Sequence, residues 1–193
     1  MTRESGAPPV VTRRARGELR RQKLVDAAAA IIREEGPVAV THRAVAKRAG
    51  CSLSATTYYF TGLDELLAEA GQINIRLWAR RAEHVATEVE RQPVPTTLDG
   101  VITVLLRACL PASEALENHY LQLLQAASIA PVAHAYAAGR QRLDDAIGRV
   151  LRRVGIDIAP ELVIAVVDGA AVSALSEGRG VRETAHDLLA EIL

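Results

Sequence analysis

Arg43 and the hydroxyl residues Ser52, Ser54, Thr56, Thr57, Tyr58 and Tyr59 crowd one short stretch of the chain. Guanidinium and hydroxyl groups are ordinary donors to phosphate oxygens, and short side chains can approach base edges or a thymine methyl. The chemistry on offer is therefore contact with nucleic acid. Catalytic arrangements are not evident. His42, His84, His119, His134 and His186 have no cysteine or carboxylate at catalytic or metal spacing. There is no phosphate-cradling glycine loop, no GxSxG and no HExxH. Glu114 and Glu117, and Asp144 or Asp145 with neighbouring arginines, read as solvated helix faces. Cys51 and Cys109 lack partners, which points to a reduced, disulfide-free, cytoplasmic protein. No enzyme activity, cofactor or metal is expected.

These residues need elements to position them. Thr41 is a suitable N-cap for a helix whose apolar face is Ala44, Val45, Ala46 and Ala49. Gly50 permits the left-handed conformation that ends it. Ser52 or Ser54 can cap a second helix, Leu53 to Tyr59, closed by Phe60. Two short helices around a glycine turn are the helix-turn-helix layout, whose second helix enters the major groove in DNA-binding versions. Upstream, Leu24, Ala27, Ala28, Ile31 and Ile32 predict a supporting helix over Glu18–Glu35, ended by Gly36-Pro37. Residues 1–16 read as a flexible basic arm. Arg13, Arg14, Arg16, Arg20, Arg21 and Lys23 can track phosphates or enter a minor groove.

Charge agrees with this division. The chain has 193 residues and no net charge, but residues 1–62 hold 11 Lys/Arg against 5 Asp/Glu, and the remainder 12 against 18. A basic front on an acidic body confines nucleic-acid contact to the front. The expected domains are 17–62 for DNA binding and 63–193 for ligand binding and dimerisation. A long helix from residue 63 to about Gln92 connects them. Further helices start near Thr97, Pro111, Pro131, Pro160 and Val181, so the fold class is all-α with about nine helices. No apolar run is long enough to span a bilayer. Residues 160–193 carry more apolar surface than one core needs, which predicts a homodimer joined by a four-helix bundle.

Residues 17–70 resemble the DNA-binding domain of TetR-family transcriptional repressors. The resemblance is carried by LVDAAAAIIREEG, VTHRAVAKRAGCS, TTYYF and LDELLAEA. The remainder is similar in architecture alone. The resemblance implies a homodimer on a palindromic operator, released when a small-molecule effector enters the C-terminal domain. It places His42 and Arg43 near the DNA backbone at the start of the second helix. Ser52, Leu53, Ser54, Ala55, Thr57, Tyr58 and Tyr59 fall at positions of base and phosphate contact. Thr57 stands where many members carry tyrosine, and Leu63 where a lysine is common. The arginine-rich arm could compensate for that missing phosphate clamp.

From residue 63 onward the aromatic residues are Trp78, Tyr120 and Tyr136. So few aromatics predict an aliphatic cavity with a few polar anchors, the candidates being Trp78, His119, Gln122 and Gln125. A largely apolar effector with one polar end fits that composition. Two other readings remain open: a helical adaptor that binds protein, and a constitutive DNA binder without a ligand.

Overall fold

The computed structural model describes residues 13–111 and 116–193, all of whose regular structure is helical. Among the described residues nine α-helices run in the order α1 (Arg13–Glu35), α2 (His42–Ala49), α3 (Leu53–Tyr59), α4 (Leu63–Arg91), α5 (Leu98–Cys109), α6 (Leu116–Ala126), α7 (Ala130–Val154), α8 (Pro160–Glu177) and α9 (Val181–Ile192). A 3-10 turn, Pro37–Ala39, links α1 to α2.

Two hydrophobic clusters hold these helices. The first joins Leu24, Ala28 and Ile32 of α1 to Val45, Phe60, Leu66 and Ala70, and continues to Ile75, Trp78, Val132 and Tyr136. The second is built on Ile102 and Leu105 of α5, Ile147 and Leu151 of α7, Val167 and Ala171 of α8, and Leu189 of α9. Leu123 packs against both. The helix-turn-helix unit is thus not a separate globule: its core runs along α4 into α7. Three short helices bury little apolar surface by themselves, and the extension of α4 supplies the rest.

The 29 residues of α4 span about 43 Å at 1.5 Å per residue. Its packing against α7 is unusually close at two glycines. A Cβ on Gly71 would lie 2.9 Å from the Ala135 Cβ, and one on Gly139 would lie 2.5 Å from the Ile75 Cγ2. Outside that seam, Arg149 pairs with Glu90 at 2.6 Å and Arg142 donates to Glu83 at 2.8 Å. Exposed pairs of this kind contribute about 0–1 kcal/mol each, so the glycine seam dominates the packing.

Several boundaries differ from the sequence reading. α1 begins at Arg13 rather than Glu18, so Arg13, Arg14 and Arg16 stand on its first turns. Arginine is a good helix former, and only Gly17 interrupts that segment. Residues 1–12 of the expected arm lie outside the described residues, as does Glu114. The expected helix from Pro111 to Ala130 ends earlier, at Ala126. Pro131 has no N–H to offer the preceding turn, so the chain closes with 3-10-type bonds to Gln125 and Ala126 and restarts as α7.

Candidate functional site

The turn between α2 and α3 is closed by backbone bonds. Thr41 Oγ1 accepts from the Ala44 N–H at 3.1 Å, capping α2. Gly50 is left-handed at φ 63°, ψ 34°, and the Cys51 N–H returns to the Ala46 carbonyl at 2.9 Å. Ser52 occupies the N-cap position of α3 without capping it. Its hydroxyl lies 3.0 Å from that of Ser54 instead, on the outer face.

The faces of α3 divide cleanly. Ala55 (9% exposed), Thr56 and Phe60 are buried, and the Thr56 hydroxyl donates to the Leu53 carbonyl at 2.7 Å. Ser52, Leu53, Ser54, Thr57 and Tyr58 are exposed, Tyr58 at 81%. Ala55 therefore seats the helix rather than presenting itself to a groove. Tyr59 is half-buried; its hydroxyl lies beside Gly17 and its ring meets Tyr58 edge-on at 4.9 Å. Arg43 is exposed, whereas His42 is half-buried with its Nδ1 enclosed and unpartnered among the described residues. Leu63 packs against the first cluster.

The basic residues also divide. Arg21 is not free to follow a phosphate backbone: it donates to Glu69 at 2.7 Å and Glu65 at 3.1 Å, and stacks 4.7 Å over the Phe60 ring. Arg48 forms a fork with Glu34 at 2.7 and 2.6 Å. Arg13, Arg14, Arg16, Arg20, Lys23, Arg43 and Lys47 are exposed and form no ion pair among the described residues, and Gly17, in the same run of α1, lies beside the Tyr59 hydroxyl of α3.

Helices α4, α5, α6, α7 and α8 line a partly open cavity of about 170 Å³. The aromatics, scattered in sequence, converge on it. Trp78 meets His119 at 4.7 Å and Tyr136 at 4.9 Å, both edge-on, and His119 meets Tyr120 at 5.0 Å. Burial holds His119 down to about pH 4, so the ring is neutral at pH 7. The Tyr120 hydroxyl donates to Asp168 at 3.1 Å. Burial raises the Asp168 pKa, an effect opposed by that bond and by Arg140. Cys109 is pushed up to about 12 by burial, which leaves an inert thiol in the wall.

A second cavity, of about 310 Å³, shares Trp78, Arg81 and His119 with the first and adds Arg33, Leu77 and Gln122. Of the four expected ligand residues, Trp78 and His119 line both spaces and Gln122 lines the second. Gln125 lines neither; its amide oxygen is buried against Gly36. Sequence reasoning missed Arg81, Arg140 and Asp168. The signal for Asp168 was present, as the single charge interrupting the apolar run of α8. Nothing comparable marks Arg81 on the heavily charged α4.

No cluster of His, Cys, Asp or Glu able to hold a metal ion occurs among the described residues. None of their helices is long and apolar enough to cross a membrane.

Comparison with known proteins agrees with this geometry. Residues 24–70 match the family model of bacterial regulatory proteins, tetR family. No curated protein matches the sequence. Among solved structures, a Saccharomonospora viridis protein in complex with choline is 19% identical, with a TM-score of 0.67, covering 89% of this chain and 94% of its own. The multidrug binding protein EbrR, complexed with imidazole, is 22% identical with a TM-score of 0.66, covering 100% of this chain and 97% of its own. A TetR-family member from Streptomyces coelicolor A3 is 26% identical with a TM-score of 0.56, covering 90% and 98%. Residues 24–70 thus match the model of bacterial regulatory proteins of the tetR family, and the chain as a whole has the fold of solved TetR-family regulators.

Proposed function

We propose that this chain is a ligand-responsive transcriptional repressor. It binds a palindromic operator in the cytoplasm as a homodimer and leaves it when a small molecule fills the cavity beside Trp78. The observation that carries this reading is the outer face of α3. Leu53 and Tyr58 are exposed on a rigid helix beside unpaired cations, a combination that folding does not require. Ser52, Leu53, Ser54, Thr57 and Tyr58 meet the major groove, and Arg43 with the first turns of α1 meets phosphate. His42, Ala55 and Tyr59 set the pose of α3 from beneath.

Support for a two-fold partner comes from α8 and α9. Leu162, Val172 and Leu175 are exposed on α8, with Leu188 and Ile192 on α9. Gly169, also exposed on α8, has open space above it, which lets a second helix approach. These residues, within 160–193, would be covered by the same face of another copy.

Effector action follows from the shared core. α4 carries both Leu66, under α3, and Trp78, in the cavity wall. A ligand that favours one pose of α4 over another shifts the spacing of the two α3 helices, in proportion to its differential affinity for the two poses. EbrR structures that hold proflavin and ethidium have the same fold and support a ligand role for this region.

Fluorescence anisotropy of the full chain on labelled duplex at several salt concentrations tests the reading. The expected result is binding that weakens steeply with salt, with two chains per specific duplex. A protein adaptor would give no salt-dependent binding.

A further inference from the structure

Arg81 sits in the wall common to both cavities. Its Nη2 donates to the Cys109 backbone carbonyl at 3.0 Å, and its Nε is buried without a partner among the described residues. No carboxylate among the described residues pairs with it; after burial, the groups that act on it are Cys109 and Tyr120 and, more weakly, another arginine, Arg182. Arg182 is itself bonded to a neutral acceptor, the Pro111 carbonyl at 2.7 Å. Arg33, across the second cavity, donates to the neutral amide oxygen of Asn74 at 2.7 Å.

Two guanidinium groups, from α1 and α4, thus line the second cavity, each bonded to a neutral acceptor, with the Arg182 charge of α9 acting on Arg81 from nearby. Desolvating a cation without a counter-charge is costly, and its burial lowers the Arg81 pKa. The acid in the first cavity does not offset this. Asp168 already accepts from Tyr120 and faces Arg140, which is in turn paired with Asp144 at 2.6 Å. The balance of fixed charge facing the two cavities is positive.

We propose that the effector is an amphipathic organic anion, whose carboxylate seats on Arg81 and whose apolar body lies against Trp78, Tyr136 and Ile75. This rests on the effector role proposed above and names its chemical class. The guanidinium makes one hydrogen bond, to a neutral carbonyl, and its remaining N–H groups offer the fork that planar carboxylates fit. His119, neutral and adjacent, supplies a hydrogen bond without adding charge. Ile164, Leu123 and Leu143 close the apolar end. The assignment differs from the cationic ligands held by the structural relatives, because a cation here would be brought against Arg81 and Arg140.

The chain has one tryptophan, and it is Trp78, so intrinsic fluorescence reports directly on the shared wall. The full chain is titrated with octanoate, 1-octanol and octylammonium, three probes of equal length and different charge. Octanoate is expected to saturate the signal at least about 10-fold more tightly than either other probe, a difference of about 1.4 kcal/mol. Arg81→Met is expected to remove that advantage and leave octanol affinity within about 2-fold. Arg81→Lys, which keeps the charge and loses the fork, is expected to retain an intermediate affinity, and it decides the matter if Arg81→Met does not fold. Octylammonium binding as tightly as octanoate, no saturable octanoate binding, or an octanoate affinity indifferent to Arg81 would overturn the anion site. Anisotropy of labelled operator in the same titration separates the two proposals: octanoate bound at Trp78 with DNA still held would sink the effector reading and leave the anion site standing.

Discussion

The Arg33 guanidinium donates to Asn74 Oδ1 at 2.7 Å, and the Asn74 amide donates onward to the Ala29 carbonyl at 3.3 Å. Asn74 is fully buried, so this clamp fastens α1, which supports the reading head, to the middle of α4, which walls the cavity. Nearby, the Tyr136 hydroxyl donates to Gln122 at 3.5 Å, and burial pushes its pKa up to about 12. Tyr136, in the wall of the first cavity, is thus set beside the Asn74 amide that holds Arg33 of α1, itself in the wall of the second.

Asn74→Leu should destabilise the chain by about 1–3 kcal/mol, because the Arg33 guanidinium loses its buried acceptor and the bond to the Ala29 carbonyl is lost with it. Urea unfolding of the full chain measures this. Effector-induced DNA release should also weaken, since α1 and α4 are no longer fastened. An unchanged urea midpoint together with unchanged release would mean the clamp is incidental.

His119 predicts a pH response of known sign. Its folded pKa is lowered from 6.5 to about 4, so between those values the unfolded chain binds more protons than the folded one. Stability from this group is full above pH 6.5 and falls as the pH drops towards 4, by at most roughly 3 kcal/mol. His119→Phe keeps a ring against Trp78 and removes the titration. Comparing urea midpoints at pH 5 and pH 7 should show a smaller drop for the variant than for the parent chain.

Tyr58→Ala and Arg43→Ala alter exposed side chains, and thermal unfolding should move by no more than about 0.5 kcal/mol. Operator affinity should fall. For Arg43→Ala the salt slope should also decrease, by about 0.9 for each phosphate that the arginine neutralises in the parent complex. Arg21→Ala should behave differently, losing stability through Glu65, Glu69 and Phe60 without that characteristic change of slope.

Val172→Arg combined with Leu188→Arg places charges on the exposed apolar faces of α8 and α9. Sedimentation should then report a monomer that retains its helical content. That monomer should bind a single half-site weakly and lose cooperative binding to the full operator. A dimer that survives both changes would locate the two-fold interface elsewhere.

The helical order was legible because periodic apolar spacing, prolines and glycines mark most ends directly: Thr41 and Thr97 cap α2 and α5, and Gly50, Gly155 and Gly178 stop α2, α7 and α8 in the left-handed region. The outer face of α3 was legible in part: Ser52, Ser54, Thr57 and Tyr58 are exposed as polar residues usually are, whereas Ala55 and Thr56 turn inward. What stayed hidden depends on distance in sequence. Trp78, His119, Tyr136 and Asp168 lie on four helices, and only their packing makes a cavity richer in aromatic rings and charge than composition implies. Arg21 illustrates the converse. In a basic run it resembles its neighbours, yet Glu65 and Glu69 on α4 remove it from any DNA-facing set.

The most direct measurement is selection of bound duplexes from a random pool by the full chain, followed by stoichiometry on the enriched sequence. The account predicts an inverted repeat whose half-site centres lie about one DNA turn, or a multiple of it, apart, with both halves occupied and with binding abolished by changes at Leu53 and Tyr58. An enriched site without two-fold symmetry, or a pool that does not enrich at all, would contradict it.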